Sequence, residues 1–379
     1  MRILIIGGGI AGPSLVTQLK KHNVKCDVTL VEQAPEFRNI GYGIALWGNG
    51  RRTLKEAGID DHIIDKEGYE VPWEAFETTR RKILKSFVFN NFKSLGGPIF
   101  IPRALLHKTI VDRLNPAIIR HNIKPVAIRN FPETKIAAVE FSDGSKGEYD
   151  LVVGADGVNS WTREHVFGSG LKKYYSRSLW IMWIDKKFTL SKGAVAIAGG
   201  GKLALLLPLK DKCQLSLYAS RTPGIQGDVA TRKRDLKDLF YEFGDAIRHM
   251  IMSVPSGQDI LFNDAAYISM KHWYKNRVVL IGDAQHAMSP MMGMGASLAI
   301  EDSCVLAQEI ANEENVDEAL KKFEHRRNKR LNIYKKQAHI IEDIIMADGL
   351  MARARELFMP LMPNAISMNP LKRLLEEEI

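Results

Sequence analysis

The hydrophobic pattern opens with a short apolar run, Ile3–Ile6, stopped at once by Gly7-Gly8-Gly9-Ile10-Ala11-Gly12 and followed by a helical period. A second run, Val28–Val31, ends in Glu32. A helix is expected from Gly50 to Ala57, with Gly58 as its stop. Residues from about Val71 to Phe100 read as strands, and Ile101-Pro102-Arg103 leads into an amphipathic helix bearing Leu105, Leu106, Thr109, Ile110 and Leu114. Ile118–Val126 and Ala137–Phe141 read as strands, with Asp143-Gly144 as a hairpin turn. Tyr149–Gly157 reads as a buried strand closing in a tight turn, before a helix from Ser160 to Val166. Trp180–Ile184, Ala194–Ala198, Ala204–Pro208 and Gln214–Ala219 predict an antiparallel sheet, followed by helices around Lys233–Met252. Arg277–Ile281 is another buried strand, and Ala296–Ala311 a helix with Leu298, Val305, Leu306 and Ile310 on one face. The tail from Ile340 carries an amphipathic helix, Ile341, Ile344, Ile345, Leu350 and Met351, expected to pack at a substrate mouth rather than on a membrane surface.

Composition adds limits. The chain has 379 residues, 45% hydrophobic and 26% charged, an ordinary globular balance with room for two domains. No apolar run approaches the roughly 18 residues of a membrane helix, and the N-terminal run is too short for a signal peptide. Cys26, Cys213 and Cys304 stand far apart, which argues against disulfides or a zinc site and for a reducing cytoplasm. The net charge of +9 suits anionic, phosphate-bearing cofactors. Arg326, Arg327, Lys329, Arg330, Lys335 and Lys336 share one helix with no aromatic platform, so a solvated helix face is expected and no nucleic-acid partner.

Three stretches carry chemistry. The opening strand, glycine turn, helix and strand match a dinucleotide site. Gly7 permits the tight turn, Gly9 lets backbone approach a pyrophosphate, Gly12 lets helix pack on strand, and the helix start faces phosphate. Glu32 lies twenty residues after Gly12, where a carboxylate accepts from ribose hydroxyls. Gly41 and Gly43 allow backbone close to a ligand, and Arg103 is open between a surface charge and a phosphate or flavin contact. Asp156-Gly157 sits at a strand's C-terminal end, where open α/β sheets place ligands. Gly282-Asp283-Ala284-Gln285-His286 with Pro290 and Gly293-Met294-Gly295 repeats that arrangement. His286 invites a general-base role, but a lone histidine in a turn is more often structural. Trp180, Trp183 and Tyr218 are read as core before pocket, and Met288, Met291, Met292 and Met294 as adaptable packing.

Taken together and in order, Gly7-x-Gly9-x-x-Gly12 with Glu32, Gly154-Ala155-Asp156-Gly157-Val158-Asn159-Ser160, and Gly282-Asp283 through Gly295 resemble the single-component FAD-dependent monooxygenases. Those are the para-hydroxybenzoate hydroxylase-like enzymes, which include the tetracycline-inactivating monooxygenases. The resemblance covers about residues 1–335. It implies a Rossmann-like α/β FAD-binding domain of residues 1–71, 98–170 and 272–339. An inserted, mostly antiparallel β-sheet substrate domain would take 72–97 and 171–271, and a C-terminal helical segment 340–379. It assigns Gly7, Gly9, Ile10, Ala11 and Gly12 to the pyrophosphate, and Glu32 with Gln33 to the adenosine ribose. Gly43 and Arg103 fall to the cofactor, Val126 to an adenine contact, and Asp156 and Gly157 to FAD and NAD(P)H. Asp283 falls to the ribityl chain, and Pro290, Gly293, Met294, Gly295 and Ala296 to the flavin ring. The family usually has Gln and Asn where this chain has Met294 and Ser297. Trp180-x-x-Trp183-Ile184 does not fit the spacing of the related flavin halogenases.

The resemblance implies FAD as cofactor and NAD(P)H and O2 as co-substrates. A C4a-hydroperoxyflavin would hydroxylate a small aromatic or polycyclic, antibiotic-like substrate. No side-chain nucleophile is needed, and no GxSxG or HExxH stands in the chain, so no catalytic residue and no metal are assigned. The alternatives are an FAD-dependent dehydrogenase or reductase without oxygen transfer, and a non-catalytic flavin- or RNA-binding protein. Oligomeric state leaves no mark in the sequence.

Overall fold

The computed structural model describes residues 1–37, 41–59, 61–89, 95–188, 192–363, 371–372 and 375–377. Parts of the expected segments 1–71, 72–97, 171–271 and 340–379 lie outside them. Among the described residues the strands form four sheets.

The first sheet runs Tyr274–Lys275, Val278–Leu280, Leu151–Gly154, Arg2–Ile6, Asp27–Glu32, Ile119–His121. All its pairs are parallel except the edge pair of Tyr274–Lys275 with Val278–Leu280. Parallel strands buried on both faces need continuous apolar runs, and Ile3, Leu4, Ile5, Val152, Val153 and Val279 are fully buried. The chain leaves Arg2–Ile6 through the helix Ala11–Lys21 to one neighbour, Asp27–Glu32; its other neighbour, Leu151–Gly154, comes from much later. The order reverses there, and a crevice opens at the strand ends where it does. All three glycine motifs sit at those ends.

The second large sheet runs Leu261–Ile268, Lys172–Asp185, Lys212–Ser220, Lys202–Pro208, Ala194–Gly199, Trp73–Thr78, Ile83–Val88. The expected antiparallel pattern holds from Leu261–Ile268 to Ala194–Gly199, but Ala194–Gly199 and Trp73–Thr78 pair in parallel, because the latter arrives from a distant part of the chain. Alternation splits this sheet cleanly. Trp180, Met182, Ile197, Leu215 and Leu217 pack under the helices Arg232–Leu239 and Gly244–Ser253. The other face turns toward the glycine motifs.

Three expectations are corrected. Ile118–Val126 is two strands: Ile119–His121 in the parallel sheet and Pro125–Phe131 in a three-stranded meander, separated where Asn122 adopts φ +57°. The tail is not one amphipathic helix. Ile341, Ile344 and Ile345 end the long helix Val316–Ile345, while Leu350 and Met351 lie on a second, Gly349–Phe358, started by the Asp348 carboxylate accepting from the Gly349 N–H. Nor is the basic helix face solvated throughout. Arg327 and Arg330 are buried against Glu301 and Asp302, with five side-chain bonds of 2.7–3.2 Å from Arg327 and Arg330 to Glu301, Asp302 and the Leu298 carbonyl among them. Among the described residues no helix is long and apolar enough to cross a membrane.

Candidate active site

The first glycine loop and the Gly154–Gly157 turn leave neighbouring strands and touch. Gly7 has φ +111°, donates to the Val31 carbonyl at 2.9 Å, and would put a Cβ 2.4 Å from the Ala155 carbonyl oxygen. A Cβ on Gly12 would lie 2.2 Å from the Gly7 carbonyl oxygen. Backbone packing alone demands glycine at both. Gly9 is different: the nearest atom to its missing Cβ is Arg103 Nη2, 3.8 Å away. The space above Gly9 is therefore open, with one guanidinium at its edge. Ile10 precedes the helix Ala11–Lys21 without a side-chain cap, so the first N–H groups of that helix have no side-chain acceptor.

Glu32 accepts the Gly8 N–H on one oxygen at 2.8 Å and the Ala34 N–H on the other at 2.9 Å. Each oxygen keeps a lone pair for a ligand hydroxyl, and Gln33 is exposed beside it. The buried His107 donates Nε2–H to the Gly8 carbonyl at 2.6 Å; burial lowers its pKa, which favours the neutral ring. Arg103 opens the helix Arg103–Val111 and donates its N–H to the Tyr42 carbonyl at 2.9 Å. The second large sheet holds this Tyr42-Gly43 segment in turn. The Gly43 N–H donates to Gln214 Oε1 at 2.6 Å, and the Leu261 N–H to the Tyr42 hydroxyl at 3.2 Å.

Asp156 is mostly occupied inside the protein. Ser160 Oγ donates to one oxygen, and the Thr162 N–H and Oγ1 both donate to the other at 2.9 Å. That arrangement anchors the start of the helix Trp161–Phe167, while Gly157, with φ +77°, has nothing near its missing Cβ. The buried Arg163 ties this motif to the third, donating to the carbonyls of Val158 and Ala284 at 2.9 Å.

The third motif lies across the first. At Gly282, φ +61°, a Cβ would meet Ala11 Cβ at 3.1 Å and Ala299 Cβ at 3.3 Å. Asp283 is exposed, with Oδ1 3.8 Å from the missing Cβ of Gly295. Pro290 opens a single 3-10 turn that Gly293 ends in the left-handed region. The helix Gly295–Asn312 then starts, again without a side-chain cap, with Ala296 half-buried in its first turn. Met294 is buried in the core with Trp47, Phe89 and Leu298, and Ser297 Oγ accepts the Trp47 N–H at 3.0 Å. Both positions where the chain departs from the family pattern thus serve packing. The Trp47 indole N–H is buried with no partner among the described residues, 3.7 Å from the missing Cβ of Gly293. A buried donor left open is a group waiting for an acceptor. Val126 stands apart, exposed on the strand Pro125–Phe131.

His286 is structural. It is fully buried, with Nε2 2.7 Å from Asp302 Oδ2, the oxygen that also accepts the Gly282 N–H at 2.8 Å. Burial pushes the Asp302 carboxyl up, but His286 and Arg327 outweigh it and hold it below the usual range. Trp180 and Tyr218 are buried core, as expected. Trp47, Gln214 and Asp302 were not singled out by their sequence. Gln214 had a signal, as a polar residue between the apolar Cys213 and Leu215 of a strand. Asp302 had none, since a carboxylate mid-helix reads as surface.

Two uncapped helix starts, an open space above Gly9, a half-satisfied ribose acid and an unpaired indole donor lie around one crevice. They fit an extended dinucleotide that carries a ring system.

The family model described as FAD binding domain matches residues 1–336. The chain is 28% identical over 346 residues to 2-heptyl-3-hydroxy-4(1H)-quinolone synthase of Pseudomonas aeruginosa, covering 90% of this chain and 88% of that one. It is 26% identical to 6-hydroxynicotinate 3-monooxygenase of Bordetella bronchiseptica, covering 81% and 82%. Among solved structures, Klebsiella pneumoniae HpxO complexed with FAD and uric acid superposes with a TM-score of 0.89 at 21% identity, covering 99% of this chain and 96% of that one.

Proposed function

The chain belongs to the FAD binding domain family, and from that membership we propose that it is an FAD-dependent monooxygenase using NAD(P)H and O2 to hydroxylate a small aromatic or polycyclic ring. The observation that supports this most is the meeting of the three glycine motifs at the crevice, beneath the apolar face of the second large sheet. A dehydrogenase needs only the first of these features; an apolar wall facing the cofactor serves oxygen transfer.

In this reading the N–H groups at Ala11 and Gly12 meet the pyrophosphate, with Gly7 and Gly9 giving clearance and Arg103 supplying charge. Glu32 accepts from the adenosine ribose. Asp283, exposed beside Gly295, accepts from the ribityl chain, and Gly293 to Ala296 with Trp47 Nε1 meet the ring. When bound and reduced by NAD(P)H, FAD supplies the activation of O2, one atom going to the substrate and the other leaving as water. The chain's own work is positional. Trp47, Leu207, Ala194, Met292 and Met294 line an apolar cluster that keeps water away, and no side chain forms a bond with the substrate. The free thiols of Cys26, Cys213 and Cys304 fit a reducing, cytoplasmic setting.

Anaerobic mixing of the FAD-loaded protein with NADPH, alone and with a panel of phenols, quinolones and tetracyclines, tests this. At least one ring should speed bleaching of the flavin, and under 18O2 its product should gain one labelled oxygen. Bleaching without label in any product would instead establish a dehydrogenase or reductase.

A further inference from the structure

The second large sheet carries one residue that its surroundings do not explain. Glu74 pairs in register with Ala194 on one side and Phe87 on the other. Residues paired in register on adjacent strands share a face. Ala194 belongs to the core cluster of Trp47, Leu207 and Met294, and Phe87 packs at its margin with Met292. Two residues along, Phe76 packs with Ala196, Leu203 and Tyr218, again on that face. Glu74 therefore looks toward the glycine motifs from an otherwise apolar wall.

Among the described residues its carboxyl has no hydrogen-bond or ion-pair partner. Lys85, diagonally across on the neighbouring strand, donates its ammonium to the Met362 carbonyl. Glu77 is engaged by Arg81 at 2.6 Å. Desolvation alone, with no neighbouring charge, pushes the Glu74 carboxyl up to about 7, and the residue is half-buried. Its register places it on the inner, apolar face of the sheet, beside Ala194 and Phe87. Unpartnered acids are not kept in apolar walls for stability.

We propose that Glu74 determines substrate specificity: it accepts a hydrogen bond from an N–H or O–H on the substrate's aromatic ring, selecting neutral, donor-bearing rings over carboxylate-bearing ones. This rests on the monooxygenase reading above. Above pH 7, where Glu74 is ionised, a carboxylate substrate would meet a like charge in a medium of low dielectric, with the Lys85 ammonium already engaged. A ring whose donor is capped would leave the acid unpaired.

Three probes separate the possibilities on the FAD-loaded protein: 4(1H)-quinolone, its N-methyl derivative and quinoline-4-carboxylate. Binding is read from the flavin absorbance and from the rate of NADPH oxidation. The wild type should bind 4(1H)-quinolone about tenfold or more tighter than the N-methyl ring, the ratio expected of a hydrogen bond to a charged group. Glu74→Leu should erase that preference. Glu74→Gln, nearly isosteric and so the safer fold, should bind quinoline-4-carboxylate about tenfold better than wild type does. A preference unchanged in Glu74→Leu at full FAD content, or an unchanged carboxylate affinity in Glu74→Gln, would overturn the assignment. If the rings act on the flavin but are indifferent to residue 74, this inference alone falls. If no ring, including those of the wider panel, perturbs the flavin or speeds NADPH oxidation, the monooxygenase reading falls and takes the inference with it.

Discussion

Gly9 and Gly12 belong to one fingerprint but answer to different forces, and substitution separates them. A Cβ at Gly12 collides with backbone at 2.2 Å, so Gly12→Ala should lower the thermal midpoint of the FAD-free protein by several degrees. A Cβ at Gly9 meets only a guanidinium at 3.8 Å, so Gly9→Ala should leave the FAD-free midpoint within a degree or two while weakening FAD binding about tenfold or more. Equal loss of FAD-free stability in both would mean that Gly9, too, is a packing residue. Sequence spacing treats the two alike; only the neighbours distinguish them. Glu74 gives a second contrast. Its folded value is raised above the ordinary carboxyl value of 4.5, to about 7, so the folded state binds its proton more tightly than the unfolded state. Stability must then fall as pH rises from about 4.5 to 7, and stay reduced above that window. Lys85 and Tyr218 share its face; burial raises the Tyr218 value above 10, so the phenol does not titrate there. Urea midpoints of Glu74→Gln and wild type should lie close together near pH 5, with the variant gaining up to about pH 7 and its lead level from there to pH 8. A difference constant with pH would show that the carboxyl is not desolvated.

At the scale of elements, the helix Gly295–Asn312 is the pivot. One end meets the crevice, and its flank packs on the helix Ala11–Lys21 through Ser303 Oγ, which donates to the Ala11 carbonyl at 2.9 Å. Its acids Glu301 and Asp302 bind Arg327 and Arg330 of the helix Val316–Ile345, and Asp302 also holds the Gly282 N–H. Removing one partner from a buried ion cluster strands the others, so Arg327→Met should cost about 3–5 kcal/mol in urea unfolding. Because Asp302 would lose a partner while holding Gly282, FAD retention should fall as well. A loss under 1 kcal/mol would mark the cluster as solvated. This part of the site was hidden in the sequence for a physical reason. Arg326, Arg327 and Arg330 read as a basic face because charge on a helix is usually solvated, and their acids sit on another helix 17 to 29 positions earlier. Apolar periodicity shows which face is buried; it does not show which charges have found partners there. The strands and the two helices at the glycine motifs were legible because their signals are local: apolar runs, glycine stops and turn pairs. The tail was misjudged because a single Asp348 cap restarts a helix inside an unbroken apolar pattern.

For the whole molecule, the three motifs were readable singly, and their meeting follows from a topology in which Arg2–Ile6 takes neighbours from two distant parts of the chain. What could not be read is how the second sheet closes over them. That depends on register between strands over a hundred residues apart, Glu74 with Ala194 among them, and on bonds such as Gly43 to Gln214. This architecture makes a prediction about FAD. The groups around the crevice come from residues 7–12, 32–34, 41–47, 103, 154–157 and 282–297, so one ligand ties together segments from across most of the chain. Free FAD at about 100 times its Kd should stabilise folding by about 2.7 kcal/mol. Hydrogen exchange should slow in those separated segments together. The helices Arg232–Leu239 and Gly244–Ser253 lie on the far face of the second sheet, where FAD has no contact to offer, and their exchange from local opening should not change. Protection confined to residues 7–12 would describe a dinucleotide held by its first fingerprint alone, with the crevice open. Protection spreading into 232–253 would mean that the sheet transmits ordering from one face to the other. Slowing in the six dispersed segments, with those helices unchanged, is the signature of a cofactor stitched in at the switch point beneath a sheet already folded to receive its substrate.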